Sequence, residues 1–412
     1  MNETSTYDVV IIGGGPAGYR AAERLGARGR SVLLVEKSLL GGTCLNVGCV
    51  PTKTLLNSAK YYVHALEGAK FGVKATGVSY DLGTMMAWKQ EVVDKLRSGI
   101  AAEMKRVKAA VLTGDAVIAG PGRVLVTEAG AAPDSTSGSA PGAAPAAAPA
   151  AAPRMVNCKA ILVATGSSPV IPPIPGLRDN PKVLDSTGIL ELKEVPKRLC
   201  VIGGGVIGVE FASLFSSLGC EVSVVEMLDE IVPFMDADQA PVLRRAMKSI
   251  AWKLGCRVTS VEGATVKYTT NDGASEAVEA DLVLAAIGRS PNVELWGAES
   301  VSLDRSPKGV VVNDRMRTSA LGVWAAGDVT GRSLLAHSAY RMAEVAAADI
   351  DAVLGGKPEG DQLMRWDAVP WAVYSIPEAA GVGMTEKDAR QRGFEPACVK
   401  IPLRASGRFA AE

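Results

Sequence analysis

Residues 7–36 read YDVVIIGGGPAGYRAAERLGARGRSVLLVE. The apolar run Val9–Ile12 is unbroken, as in a parallel strand covered on both faces. It stops at a glycine cluster. Ala17, Ala21, Ala22 and Leu25 then recur at helical spacing, and a second apolar run ends at Glu36. The order is strand, tight turn, helix, strand. Gly13-x-Gly15-x-x-Gly18 sits where the strand enters the helix: the first glycine serves the turn, the second lets backbone approach a pyrophosphate, and the third lets helix and strand pack closely. The helix start offers free N–H groups and a positive dipole end to phosphate. Glu36 stands where a carboxylate accepts from ribose hydroxyls. A lone glycine triplet is weak, but here strand, helix, second strand and acid are all in place, which marks a dinucleotide site.

Residues 198–226, RLCVIGGGVIGVEFASLFSSLGCEVSVVE, repeat the plan with Gly203, Gly205, Gly208 and Glu226 at identical spacing. An acid at Glu226 suits a free 2′-hydroxyl and repels a 2′-phosphate. The following MLDEIVP holds no arginine, so NAD(H) is expected over NADP(H). A second echo joins CKAILVATGSSP (158–169) to ADLVLAAIGRSP (280–291). Both are apolar strands ending in glycine, a polar residue and Ser-Pro. Two related modules, one inserted in the other, explain the pattern. Two dinucleotides in one chain point to a flavin beside a nicotinamide. GVWAAGDVT (322–330) adds Asp328 at a strand end, where its carboxylate suits a sugar or ribitol hydroxyl.

The 412 residues hold 44 basic and 44 acidic side chains and 48% apolar residues. No charged surface for nucleic acid is implied, no apolar run reaches the roughly 18 residues of a membrane span, and no secretory signal opens the chain. A cytoplasmic protein is expected. Residues 130–153, GAAPDSTSGSAPGAAPAAAPAAAP, lack periodicity and read as a disordered insertion between two strands. MRWDAVPWAVYSIPEAAGVGMTEKDARQRGFEP (364–396) reads as strand, turn, a short helix from Thr385, then a strand. The closing RASGRFAAE carries no evident cap or helix.

Of seven cysteines, Cys158, Cys200, Cys220, Cys256 and Cys398 are scattered singly and read as small buried hydrophobes. Cys44 and Cys49 form a motif in GGTCLNVGCV (41–50). A zinc site needs about four ligands, and no second Cys or His pair has ligand spacing. A structural staple is out of place in a cytosolic chain. A redox pair remains. On a regular helix residues five apart have Cα atoms roughly 8.5 Å apart, beyond the roughly 7 Å a disulfide tolerates. The segment is therefore expected to be a distorted helix start, which Gly48 allows, with Pro51 in an early turn. A helix start lowers a thiol pKa, and Lys53 is placed to stabilise negative charge on a thiolate or reduced flavin.

With GGTCLNVGCVPTK and both nucleotide motifs, the chain resembles the flavin-dependent pyridine nucleotide-disulfide oxidoreductases from Tyr7 onward. It leans towards the dihydrolipoamide dehydrogenases, with mercuric reductase or another disulfide reductase as the alternative. The resemblance implies an α/β fold: two Rossmann-like dinucleotide-binding domains, one inserted in the other, and the beginning of an α+β dimerisation domain. The implied boundaries are 1–168 and 291–355 for the FAD-binding and central parts, 169–290 for the NAD-binding domain, and 356–412 for a partial dimerisation domain. It implies FAD contacts at Gly13, Gly15, Gly18, Glu36, Lys37, Gly42, Thr43, Lys53, Ala116, Thr165, Gly166, Ser167, Asp328, Leu334, Leu335, Ala336 and His337. NAD contacts are implied at Gly203, Gly205, Gly208, Glu226, Val258 and Gly288, with Glu210 pairing Lys53 and Arg289 linking the regions. Cys49 is implied as the flavin-proximal sulfur and Cys44 as the interchange thiol. Electrons would run from a dithiol such as dihydrolipoamide through the Cys44–Cys49 disulfide and FAD to NAD. The implied partners are a lipoyl domain of a 2-oxoacid dehydrogenase or glycine cleavage complex and, at full length, a second copy of the chain.

The family's base is a histidine backed by a glutamate near the carboxyl end. This sequence has only His64 and His337, and neither matches. A carboxy-terminally incomplete chain is expected, with dithiol oxidation impaired for want of a positioned base. A flavin-binding subunit without complete catalysis is the rival reading.

Overall fold

The computed structural model describes residues 5–129, 152–294 and 296–411. The expected insertion at 130–153 lies, except for its last two residues, outside the described residues. From the amino end the chain forms β1 (Ser5–Ile12), α1 (Pro16–Ala27), β2 (Val32–Glu36), α2 (Gly42–Val47), α3 (Cys49–Glu67), α4 (Leu82–Arg106), β3 (Ala110–Gly120), β4 (Arg123–Glu128) and β5 (Arg154–Val163). β1 lies between β2 and β5, parallel to both. All four residues Val9–Ile12 are buried, as their unbroken apolar run requires. Ala17, Ala21, Ala22 and Leu25 form the buried stripe of α1. β4 pairs antiparallel with β3 and β5, so the segment between β4 and β5 joins two hydrogen-bonded strands.

The second module comprises β6 (Ser167–Pro169), β7 (Val183–Leu184), β8 (Arg198–Ile202), α5 (Val206–Ser217), β9 (Glu221–Val225), α6 (Ala240–Ala246), β10 (Ile250–Lys253), β11 (Arg257–Glu262), β12 (Thr265–Thr269), β13 (Ser275–Glu279), β14 (Leu282–Ala285) and β15 (Arg289–Pro291). Its parallel sheet runs β10-β9-β8-β14-β7, with β11–β13 as a separate antiparallel sheet. The Ser-Pro echoes read from sequence meet each other: β6 and β15 pair antiparallel, with Ser290 opposite Ser168. The repeat thus closes into a ribbon at the point where the chain leaves one module and returns.

After β16 (Arg305–Ser306) and β17 (Gly309–Val310), β18 (Val323–Ala325) re-enters the first sheet beside β5. This return after the second module's strands is the insertion topology in physical form. α7 (Ala336–Leu354) then packs on α1. β19 (Trp371–Val373) and β20 (Ala379–Gly381) form a hairpin, followed by α8 (Glu386–Gln391) and α9 (Gly407–Ala411). Thr385 and Asp388 close a capping box on α8.

Three expectations are corrected here. No strand follows α8 among the described residues; 394–402 finds no sheet partner, and Val399 and Ile401 stay 83% and 77% exposed. An apolar alternation makes a strand only when a neighbour supplies the ladder. The closing residues do form a helix, though a single-turn one, α9. Cys398 is exposed, unlike the buried Cys158, Cys200, Cys220 and Cys256, because its segment packs under nothing.

Asp349 of α7 is 1% exposed. It accepts from Arg317 Nε at 2.5 Å, Trp324 Nε1 at 2.8 Å and the Gly360 N–H at 2.7 Å. Burial pushes its carboxyl up, but Arg317 and these donors outweigh burial and hold it below the usual carboxylate range. Arg317→Met is expected to lower stability by about 3 kcal/mol at neutral pH, since it leaves a buried charge without its cation. Urea unfolding checks this. The depressed folded pKa means the pair's contribution is present above the unfolded value of about 4 and lost as pH falls below it, so parent and variant converge in acid.

Candidate functional site

Both glycine loops are built alike. A Cβ added to Gly18 would lie 1.8 Å from the Gly13 carbonyl oxygen, and one on Gly208 2.0 Å from that of Gly203. Each third glycine therefore lets its helix press against the preceding turn. Glu36 Oε2 accepts the Gly14 N–H at 2.6 Å, and Glu226 Oε2 the Gly204 N–H at 2.5 Å. Their other oxygens accept from the N–H groups of Ser38 (2.8 Å) and Leu228 (2.7 Å). Each acid thus braces its own loop, a role the sequence reading did not give it. Around the helix starts there is room for a ligand: added Cβ atoms at Gly166, Gly205 and Gly288 meet nothing within 4 Å, and one at Gly15 meets only the Gly42 Cα at 3.8 Å. Two open cradles at the amino ends of α1 and α5 fit two dinucleotides.

Gly42 packs against Gly15 and opens α2, which carries Thr43 and Cys44. α2 stops at Val47. Gly48, at φ −142° and ψ −110°, breaks the helix, and α3 restarts at Cys49 with Pro51 in its first turn. The break brings the thiols together. A Cβ on Gly48 would sit 2.9 Å from the Thr43 carbonyl oxygen, so glycine is needed for close approach. Cys44 and Cys49 are both free thiols, joined by a side-chain hydrogen bond. That bond is the largest influence on each, pushing Cys44 up and Cys49 down; burial raises both and the Lys53 ammonium lowers both. Of the two, Cys49, at the amino end of α3, is the sulfur that ionises more readily, and Cys44 the one that keeps its proton to higher pH.

Lys53, one turn beyond Cys49, reaches the 3%-exposed Glu210 of α5, Nζ to Oε2 being 2.6 Å. The contact links residues 157 apart in sequence. Tyr374, which sequence reasoning missed, lies over Lys53 with Nζ 4.9 Å from the ring centroid, and its N–H donates to Glu210 Oε1 at 3.0 Å.

The turn after β5 holds Thr165, Gly166 and Ser167. Asn292, also unassigned from sequence, clamps it: its N–H donates to the Gly166 carbonyl at 2.9 Å, and its Nδ2 to that of Thr165 at 2.9 Å. Ser167 Oγ donates to Asp328 Oδ2 at 2.6 Å and accepts from Arg289 Nε at 2.8 Å. Burial raises Asp328 above, and lowers Arg289 below, its ordinary pKa, the two charges partly offsetting this for one another. Ser167, held by Arg289, thereby joins the β6–β15 ribbon to Asp328. Leu334 and Leu335 lead into α7, which Ala336 and His337 begin; the His337 Nε2 lies 2.5 Å from the Pro370 carbonyl oxygen. Ala116 is buried on β3 opposite Val126, and Lys37 is exposed just past Glu36. Val258 stands apart from the second glycine loop, on β11, tied to it through the Cys256 N–H to the Glu226 carbonyl at 2.9 Å. His64 is exposed on α3.

Residues 7–343 match the family model described as pyridine nucleotide-disulphide oxidoreductase, and 369–412 match its dimerisation domain. The chain is 37% identical to dihydrolipoyl dehydrogenase 3 of Pseudomonas aeruginosa, over 98% of this chain and 82% of that protein. It is 38% identical to dihydrolipoyl dehydrogenase of Thermus scotoductus, over the same shares. Among solved structures it is similar to the HOCl-induced flavoprotein disulfide reductase RclA of Escherichia coli in its Cu(II) complex, with a TM-score of 0.79, 30% identity, and 99% and 84% of the two chains covered. No helix among the described residues is long and apolar enough to cross a membrane. The paired cradles, the joined thiols and these matches have one reading: the chain belongs to the pyridine nucleotide-disulphide oxidoreductases, flavoproteins that use FAD and NAD.

Proposed function

We propose that this chain is a dihydrolipoyl dehydrogenase-type oxidoreductase of the cytoplasm that exchanges electrons between a substrate dithiol and NAD through Cys44 and Cys49. The observation that carries the reading is the divided thiol pair beside the Lys53–Glu210 ion pair, with a nucleotide cradle on each side. FAD, when bound in the first cradle, supplies two-electron transfer between thiol and nicotinamide. The chain's own residues do the rest. Gly13, Gly15, Gly18 and the start of α1 hold a pyrophosphate, Glu36 accepts from a ribose, and Asp328 accepts from a ribitol hydroxyl once Ser167 yields. Gly203, Gly205, Gly208 and Glu226 do the same for NAD. Cys44 is the sulfur that exchanges with the substrate, reacting as its thiolate once its proton has left to solvent, and Cys49 the one that holds charge. Lys53 stabilises that charge, and Glu210 keeps Lys53 in place. The domain limits follow those read from sequence, and the assigned partners are a lipoyl domain and a second copy of the chain.

The test is steady-state turnover of the FAD-loaded protein with lipoamide and either nicotinamide cofactor. NADH is expected to support at least about tenfold more turnover than NADPH, since Glu226 repels a 2′-phosphate. Similarity to a reductase solved with Cu(II) supports a second reading, a disulfide reductase for another acceptor. Turnover of other disulfides with NADH, but none of lipoamide, would favour it.

A further inference from the structure

Three segments far apart in sequence converge on one ammonium group. Lys53 comes from α3, Glu210 from α5, and Tyr374 from the residue after β19. The hairpin that carries Tyr374 is anchored on α5 twice: by the Tyr374 N–H to Glu210 Oε1 at 3.0 Å, and by the Ile376 N–H to Ser213 Oγ at 2.9 Å. Glu210 uses one oxygen for Lys53 and the other for this backbone, so the carboxylate is fixed from both sides. The half-exposed ring lies against the same ammonium, its centroid 4.9 Å from Lys53 Nζ. A cation over a tyrosine face is held by the ring quadrupole.

We propose that Tyr374 is a positioning residue for the redox pair, its ring face holding in place the ammonium of Lys53, the residue one helical turn beyond Cys49 on α3. This rests on the reading of Cys44 and Cys49 as a redox pair. The ring itself performs the role, because the Glu210 anchor is backbone and survives any side-chain change. Lys53 is among the groups that hold the Cys49 thiol down; the Cys44 thiol is the largest, Glu210 opposes it, and Tyr19 of α1 and Arg289 of β15 also feel the Cys49 charge. Loosening the ammonium therefore raises Cys49.

The test is the pH dependence of iodoacetamide alkylation at Cys49 in the reduced protein, resolved by peptide mass spectrometry so that exposed Cys398 does not interfere. Tyr374→Leu is expected to move the midpoint upward and cut the rate below it about two- to fivefold, the size of a modest cation–π contact expressed as a thiolate fraction. Tyr374→Phe, which keeps the ring, should restore the parent curve. In a Lys53→Met background Tyr374→Leu should change nothing further, which separates action through Lys53 from a general loosening of the hairpin. A parent-like curve for Tyr374→Leu, or an equal effect with and without Lys53, overturns the proposal. Labelling of both Cys44 and Cys49 in air-oxidised parent protein, unchanged by NADH, overturns instead the redox-pair reading beneath it.

Discussion

Gly18→Ala is expected to yield protein that neither loads FAD nor folds to parental stability. The added Cβ would meet the Gly13 carbonyl oxygen at 1.8 Å, with the carbonyl carbon at 2.9 Å. Both are backbone atoms of the turn that receives the pyrophosphate, so no side chain can move aside. Relief requires α1 to lift from β1, which opens the buried stripe of Ala17, Ala21, Ala22 and Leu25. Overpacking against backbone at such a site costs about 3 kcal/mol or more. Gly208→Ala meets the same obstacle at 2.0 Å in the second loop. The two differ in what they spare. Gly208→Ala should purify yellow but fail to be reduced by NADH, whereas Gly18→Ala should purify colourless. Absorbance of the purified proteins, with thermal unfolding, separates them.

The second large effect concerns the thiols. Cys49→Ser and Cys44→Ser are each expected to lower disulfide-linked turnover about a thousandfold or more, as removal of a covalent participant does. Neither should shift Tm by more than a few degrees, since serine is nearly isosteric and both sites are only partly buried. The variants should differ in residual reactivity. Cys44→Ser leaves Cys49, still beside Lys53 at the helix start, and should alkylate readily at neutral pH. Cys49→Ser leaves Cys44, raised by burial, which should alkylate slowly. The opposite order would exchange the roles of the two sulfurs.

Both βαβ units were legible because local rules act together there. Apolar runs, glycine spacing and a terminal acid all fall within about thirty residues and agree. The break at Gly48 was legible too, since a disulfide's reach forbids a regular helix between Cys44 and Cys49. The contacts that complete the site were not. Tyr374 meets Glu210 across 164 residues, and Asn292 meets Thr165 across 127. Neither residue type announces such a contact, because the partner is set by sheet order and domain insertion rather than by neighbours in the chain. The Ser-Pro echo was visible as a repeat, but that its copies pair with each other depends on how the modules face. The expected strand after α8 failed for the same reason: Val399 and Ile401 alternate as strand residues do, yet no neighbouring strand receives them. Glu36 and Glu226 were read as accepting from ribose; their hold on the N–H groups of Gly14 and Gly204 shows that each acid also shapes its own loop.

Cys44 and Cys49 are expected to exchange electrons with NADH through the bound flavin. Air-oxidised, FAD-loaded protein, treated anaerobically with NADH and then alkylated, reads this directly by peptide mass spectrometry. Cys44 and Cys49 should be unlabelled before NADH and both labelled after it, while Gly208→Ala protein stays unlabelled. Labelling of both cysteines before NADH, unchanged by its addition, would rule out electron exchange between this thiol pair and NADH.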